Sequence, residues 1–134
     1  MRKSYKIGRN ENQISVNVII GTKGIAQTKV FQFLPGGQYK LLAVSNAQSG
    51  NIDNAFIGNG SDLIGSYLKI RTIIDLGSIA DVTQWPQLSD CVSAKFGLSG
   101  GFLGNQSYSF DEDDKTDSSS GQVIIIDMEV NLTK

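Results

Sequence analysis

The chain has 134 residues, 40% of them hydrophobic and 19% charged, with a formal net charge of −1, 15 glycines against 2 prolines, 1 cysteine and no histidine. That length supports a real core, since a domain of about 150 residues buries roughly 68–70% of the surface its unfolded chain exposes, and the composition is that of a folded rather than a disordered chain. The missing histidine excludes Ser-His-Asp and Cys-His catalysis and the commonest zinc ligand, Cys91 alone excludes an intrachain disulfide, and the near-neutral charge gives no field to hold a nucleic acid.

Residues 1–9 begin basic, with Arg2, Lys3, Lys6 and Arg9 set against an acidic stretch at 111–117. No apolar segment of the kind a signal peptide needs follows them, and no run approaches a membrane span. The expectation is a soluble protein, cytoplasmic by default from the absence of a leader, with a mature secreted product as the alternative.

Ile14, Val16, Val18 and Ile20 alternate with Ser15, Asn17 and Ile19, the period of a strand with one buried face. It ends at the turn Gly21-Thr22-Lys23-Gly24. A second strand at 28–34 stops at Pro35-Gly36-Gly37, where proline presets one turn dihedral and glycine accepts the next, and 39–45 reads as its partner. Residues 46–62 turn to Asn, Ser, Gly and Asp, predicting a long loop with one short strand at Ala55-Phe56-Ile57.

In 67–76, Leu68, Ile70 and Ile74 share one face with Thr72, while Tyr67, Lys69, Arg71 and Ile73 share the other. Acidic neighbours opposite Lys69 and Arg71 would make cross-strand ion pairs, each worth a few tenths to about 1 kcal/mol. Periodicity fails over 78–90, where Pro86 withholds a ladder donor, so a crossover loop or one helical turn anchored by Trp85 is expected. It returns with Val92, Ala94, Phe96 and Leu98. Gly97, Gly100, Gly101 and Gly104 predict a bulged turn, since neither a Lys-Ser or Lys-Thr pair nor a helix follows to make a phosphate loop.

The last strand spans 122–134, with Ile124, Ile126, Met128, Val130 and Leu132 toward the core. Residues 107–110 are expected to pair with it across a mobile acidic loop at 111–120. About eight strands with this spacing predict a single all-β domain over 1–134, an antiparallel two-sheet β-sandwich, with a small closed β-barrel as the alternative.

Within the acidic loop, Asp111, Asp113, Asp114 and Asp117 are the candidate metal ligands, because calcium takes six to eight oxygen donors from flexible loops. Lys115 and Thr116 stand where an EF-hand needs an oxygen donor and a glycine, so that motif is absent. A glycosidase would need two carboxylates facing each other across a cleft, and Asp53, Asp62, Asp75, Asp81, Asp90 and Asp127 are scattered along the chain. Tyr5, Tyr39, Tyr67, Tyr108 and Trp85 are candidates for stacking on a sugar or touching a protein.

The resulting expectation is a structural or binding module without catalytic residues or a resident cofactor, self-associating or meeting a protein partner through surface contacts, with no nucleic acid and no membrane span. Calcium-dependent carbohydrate or lipid binding through the 111–117 loop is the alternative.

Overall fold

Period-two alternation folds the chain into two sheets whose apolar faces meet in one shared core. The structure, a computed structural model, describes residues 3–7, 12–102 and 104–133. Its strands are β1 (Lys3–Lys6), β2 (Gln13–Gly21), β3 (Ile25–Phe33), β4 (Tyr39–Val44), β5 (Ile52–Asn59), β6 (Tyr67–Asp75), β7 (Ser93–Gly101), β8 (Gly104–Ser109), β9 (Lys115–Asp117) and β10 (Val123–Thr133). Two short helices, α1 (Gly60–Leu63) and α2 (Trp85–Asp90), join them.

The larger sheet runs β1-β10-β6-β3-β4, with β9 also on β10, and the smaller runs β5-β2-β7-β8. Among the described residues every pairing of these strands is antiparallel except that of β1 with β10. This is the expected all-β two-sheet sandwich, and the sheets do not close into a barrel.

The inward rows are those read from the alternation. Ile124, Ile126, Met128, Val130 and Leu132 of β10 are buried against Ile14, Val16, Val18 and Ile20 of β2 and Ala94, Phe96 and Leu98 of β7 within one core. A large aliphatic side chain so buried contributes about 1.5–3 kcal/mol. Thr72, the polar exception on β6, lies opposite Thr28 of β3, and their hydroxyls share a hydrogen bond of 2.8 Å. Ser45 Oγ accepts the Thr28 N–H at 3.0 Å, so the polar step through the core is hydrogen-bonded throughout.

Two local expectations change, and a third is narrowed to one of its alternatives. Residues 107–110 do not pair with the last strand: β8 pairs with β7 in the other sheet, and Tyr108 stacks on Phe96 with centroids 5.0 Å apart. The glycine turn between β7 and β8 makes this a local hairpin, with Gly100 and Gly104 at positive φ. The partner that β10 takes from the acidic stretch is β9, with Ile124 opposite Asp117.

Second, the loop predicted at 46–62 holds the eight-residue β5 and then α1. Against β2, β5 is bulged twice, with Asn54 and Gly58 at positive φ, and its buried residues Ile52 and Ile57 are an odd number apart, which erases alternation. Third, the segment 78–90 takes the helical alternative. A 3₁₀ turn at Val82–Gln84 leads into α2, and Trp85 Nε1 donates to the Ile79 carbonyl at 3.1 Å. Among the described residues no helix is long and apolar enough to cross a membrane.

Candidate interaction surface

The acidic stretch folds into a 3₁₀ turn at Glu112–Asp114 followed by β9, and the Asp111 N–H donates to Asp114 Oδ2 at 2.8 Å across that turn. Ligand oxygens of Asp111, Asp113 and Asp114 lie within 4.8 Å of one another. Asp117 is not among them, because both its oxygens accept from Ser89 Oγ of α2, at 2.9 and 3.1 Å, while Lys115 Nζ donates to the Ser89 carbonyl at 2.9 Å. Lys3 forms an ion pair with Asp111 at 3.3 Å, so part of the basic N-terminal cluster meets the acidic stretch within one chain. Arg2, Arg9 and Lys134 lie outside the described residues.

Three carboxylates form a hard-oxygen donor set of the type calcium prefers, fewer than its usual six to eight ligands. Other aspartates serve local geometry. Asp75 accepts the Gly77 N–H and the Gln122 amide, and Asp81 accepts the Thr83 hydroxyl and N–H; in each case these donors hold the carboxyl below its ordinary pKa.

A different constellation forms on the outer face of the larger sheet. Register places Tyr67, Phe33 and Tyr39 in one row across β6, β3 and β4, and Lys69, Phe31 and Leu41 in the next. The Phe33 ring stacks on Tyr67 with centroids 5.0 Å apart and planes at 8°, and on Tyr39 at 5.3 Å and 22°. Strands in a sheet are spaced 4.7–4.9 Å apart, so the rings stack face to face at the strand repeat, and Phe31 meets Tyr39 edge-on at 5.9 Å. The ladder ends at Tyr39, which is 64% exposed, beside Leu41 at 50%.

A charged band borders these rings. Arg71 grips Asp127 of β10 through two hydrogen bonds of 2.7 and 2.9 Å, which raise the guanidinium pKa, and Lys69 pairs with Glu129 at 3.7 Å while resting 5.1 Å from the Phe33 centroid. The cross-strand ion pairs expected from Lys69 and Arg71 are thus formed.

The structure therefore gathers Tyr39 and Tyr67 and leaves the other aromatic candidates elsewhere. Tyr5 is on β1, Tyr108 is on β8 with its hydroxyl bonded to Ser4 of β1, and Trp85 sits on α2. Phe31 and Phe33 were missed because β3 carries Val30 between Thr28 and Gln32 on its inner face, so both faces look mixed. Their spacing of two, in phase with Lys29, was the available signal.

The outer face of the smaller sheet is built differently, from Ser15, Asn17, Ser93, Lys95, Gly97 and Ser99 of β2 and β7, with Ile19 of β2 and Phe56 of β5 as exposed apolar residues that no ring ladder joins among the described residues. Its centre is tight: a Cβ on Gly97 would come within 2.8 Å of Asn17 Oδ1.

The edges of the larger sheet also differ. Around β1, the Ile7 N–H donates to the Thr133 carbonyl at 2.8 Å and the Phe102 N–H to the Lys6 carbonyl at 2.9 Å. Buried Tyr5 donates its hydroxyl to the Gly104 carbonyl at 2.6 Å and accepts the Gly101 N–H at 2.9 Å, while Tyr108 donates to the Ser4 carbonyl at 3.1 Å. Burial pushes the Tyr5 phenol pKa up, and the Gly101 hydrogen bond opposes this in part. β9 is covered in turn by its bonds to α2.

At the opposite edge, β4 has β3 as its strand partner. The Leu34 N–H donates to the Gln38 carbonyl at 2.7 Å and sets the alternation of the hairpin. By that alternation Lys40 turns its main-chain groups toward β3, and Tyr39 and Leu41 turn theirs outward.

Comparisons of the chain with protein-family models, with curated proteins and with solved structures found no match.

Proposed function

We propose that this protein is a non-enzymatic binding module that works through surface contacts, and that the aromatic end of the larger sheet is its contact surface. The supporting observation is the ladder Tyr67-Phe33-Tyr39, which brings three aromatic rings to an outer face and leaves the last one largely in water. Aromatic side chains supply large contact area at low entropic cost and are enriched where proteins meet. Replacing Tyr39 in one variant and Ser107 in another with a photo-crosslinking phenylalanine analogue, in intact cells, tests this reading. Adducts of one defined mass should form from position 39 and not from 107, and a mass of two chains marks self-assembly. Equal adducts from both faces would defeat it.

The second reading, calcium-dependent carbohydrate or lipid binding, draws on the convergence of Asp111, Asp113 and Asp114. Calcium at 100 times its dissociation constant adds about 2.7 kcal/mol of stability, so a melting temperature unchanged by millimolar calcium removes this reading.

A further inference from the structure

We propose that β4 is a strand-addition site, at which an extended segment of a partner protein, alternating aromatic or aliphatic residues with acidic ones, pairs with Tyr39–Val44. The proposal deepens the surface-contact reading and rests on it.

Three observations meet at this edge. The first is main-chain chemistry: Tyr39 and Leu41 direct N–H and C=O groups away from β3, and an added strand gains hydrogen bonds by meeting them. The remaining edges are finished by other means. β1 and β9 are bonded to neighbours within the chain, β5 is bulged twice, and β8 carries the polar sequence Gly-Asn-Gln-Ser-Tyr-Ser. On β4 the register shift falls between Leu41 and Ala43, which leaves Tyr39-Lys40-Leu41 regular.

The second is the ring ladder. It advances by one strand spacing at each step and stops at Tyr39, so a strand added to β4 brings its own side chain against the last ring. An aromatic or aliphatic residue opposite Tyr39, and another opposite Leu41, extends both rows.

The third is charge, which selects the occupant. Lys40 is the single charged residue of β4, and Lys29 lies opposite Val44 on β3. Among the described residues neither is in an ion pair. Two copies joined edge to edge by β4 with Tyr39 opposite Leu41 bring Lys40 beside Lys40 with no acid between them, and a lysine on an edge strand is a known device against such self-pairing. A partner strand with a carboxylate opposite Lys40 turns that repulsion into attraction.

The test uses the full chain, labelled for amide NMR, with two short end-capped peptides as probes. One alternates phenylalanine or valine with glutamate, and the other carries lysine in place of each glutamate. The glutamate peptide should bind several-fold more tightly, slow hydrogen exchange at the Tyr39 and Leu41 amides, and lose its advantage to the lysine peptide in Lys40→Glu. Leu41→Pro removes an outward donor that β3 does not use, so it should abolish binding while the β3 and β6 amide signals stay in place.

Equal binding of the two peptides, or shifts confined to surfaces other than β4, would overturn the proposal. So would slowed exchange at Tyr39 and Leu41 on raising protein concentration alone with a doubled mass, which assigns the edge to a second copy. If neither peptide binds while position 39 still crosslinks to a single partner, strand addition is wrong and the broader surface-contact reading stands.

Discussion

At the β1 and β9 edge of the larger sheet, main-chain groups, two tyrosine hydroxyls and an ion pair are all turned to partners within the chain, whereas at the β4 edge a tyrosine, a leucine and the main chain beside them face solvent. The two edges belong to one sheet and share one core, so the difference is not one of foldedness. It shows how a sandwich finishes one side as structure and leaves the other as surface. Contacts on the first side should govern stability, and those on the second should govern association.

The sharpest way to break this contrast is at Tyr5. Truncation to alanine removes a fully buried ring and both hydroxyl bonds, and should destabilise the chain by about 3–5 kcal/mol in denaturant unfolding. A loss below about 1 kcal/mol would mean that the β1 edge is not closed in solution. Tyr5→Phe keeps the ring but strands the Gly101 N–H and the Gly104 carbonyl, for a loss of about 1–3 kcal/mol.

Alkaline pH reaches the same site. The Tyr5 phenol has a pKa raised above its usual value of about 10, chiefly by burial. The unfolded chain therefore loses this proton first, and stability, complete below pH about 10, falls as pH rises toward the folded value. Tyr108 acts in the same direction, also chiefly through burial. The decline, followed by urea unfolding at stepped pH, should be shallower in Tyr5→Phe than in the unsubstituted chain.

On the open edge, Tyr39→Ala removes a largely exposed ring and one cross-strand stack, and should cost about 1 kcal/mol or less in the same unfolding experiment. A loss as large as that of Tyr5→Ala would erase the distinction between the edges. The smallest effect is expected at Lys3, where Lys3→Ala removes a partly exposed ion pair worth less than about 1 kcal/mol, and the difference should shrink further in high salt.

Most of the fold was legible because the buried rows obey a strict period. The alternation through β2, β6, β7 and β10 assigned every inward residue there, including Thr72, and Lys69 and Arg71 of β6 anticipated cross-strand ion pairs, whose partners Glu129 and Asp127 the structure supplied. Legibility ended where period or length failed. β1 and β9 have four and three residues, too few to display alternation, and β1 is held by the far end of the chain. β5 was hidden by its bulges. In the candidate surface, Tyr39 and Tyr67 were visible as residue types, but Phe31 and Phe33 join them only through registers linking three strands.

The amino-acid sequence by itself determined that this chain is all-β, because hydrophobic burial on a pleated strand must repeat every second residue, and it removed histidine-based chemistry by omission; that the strands form two open sheets rather than a barrel came from the tertiary structure. Beyond the hairpin of 28–34 with 39–45, which strands lie side by side was decided only in three dimensions, because a distant pairing partner is chosen by packing and loop closure across the whole chain. For that reason the tertiary structure alone divided the tyrosines into those that latch β1 to the hairpin and those that line the surface beside β4.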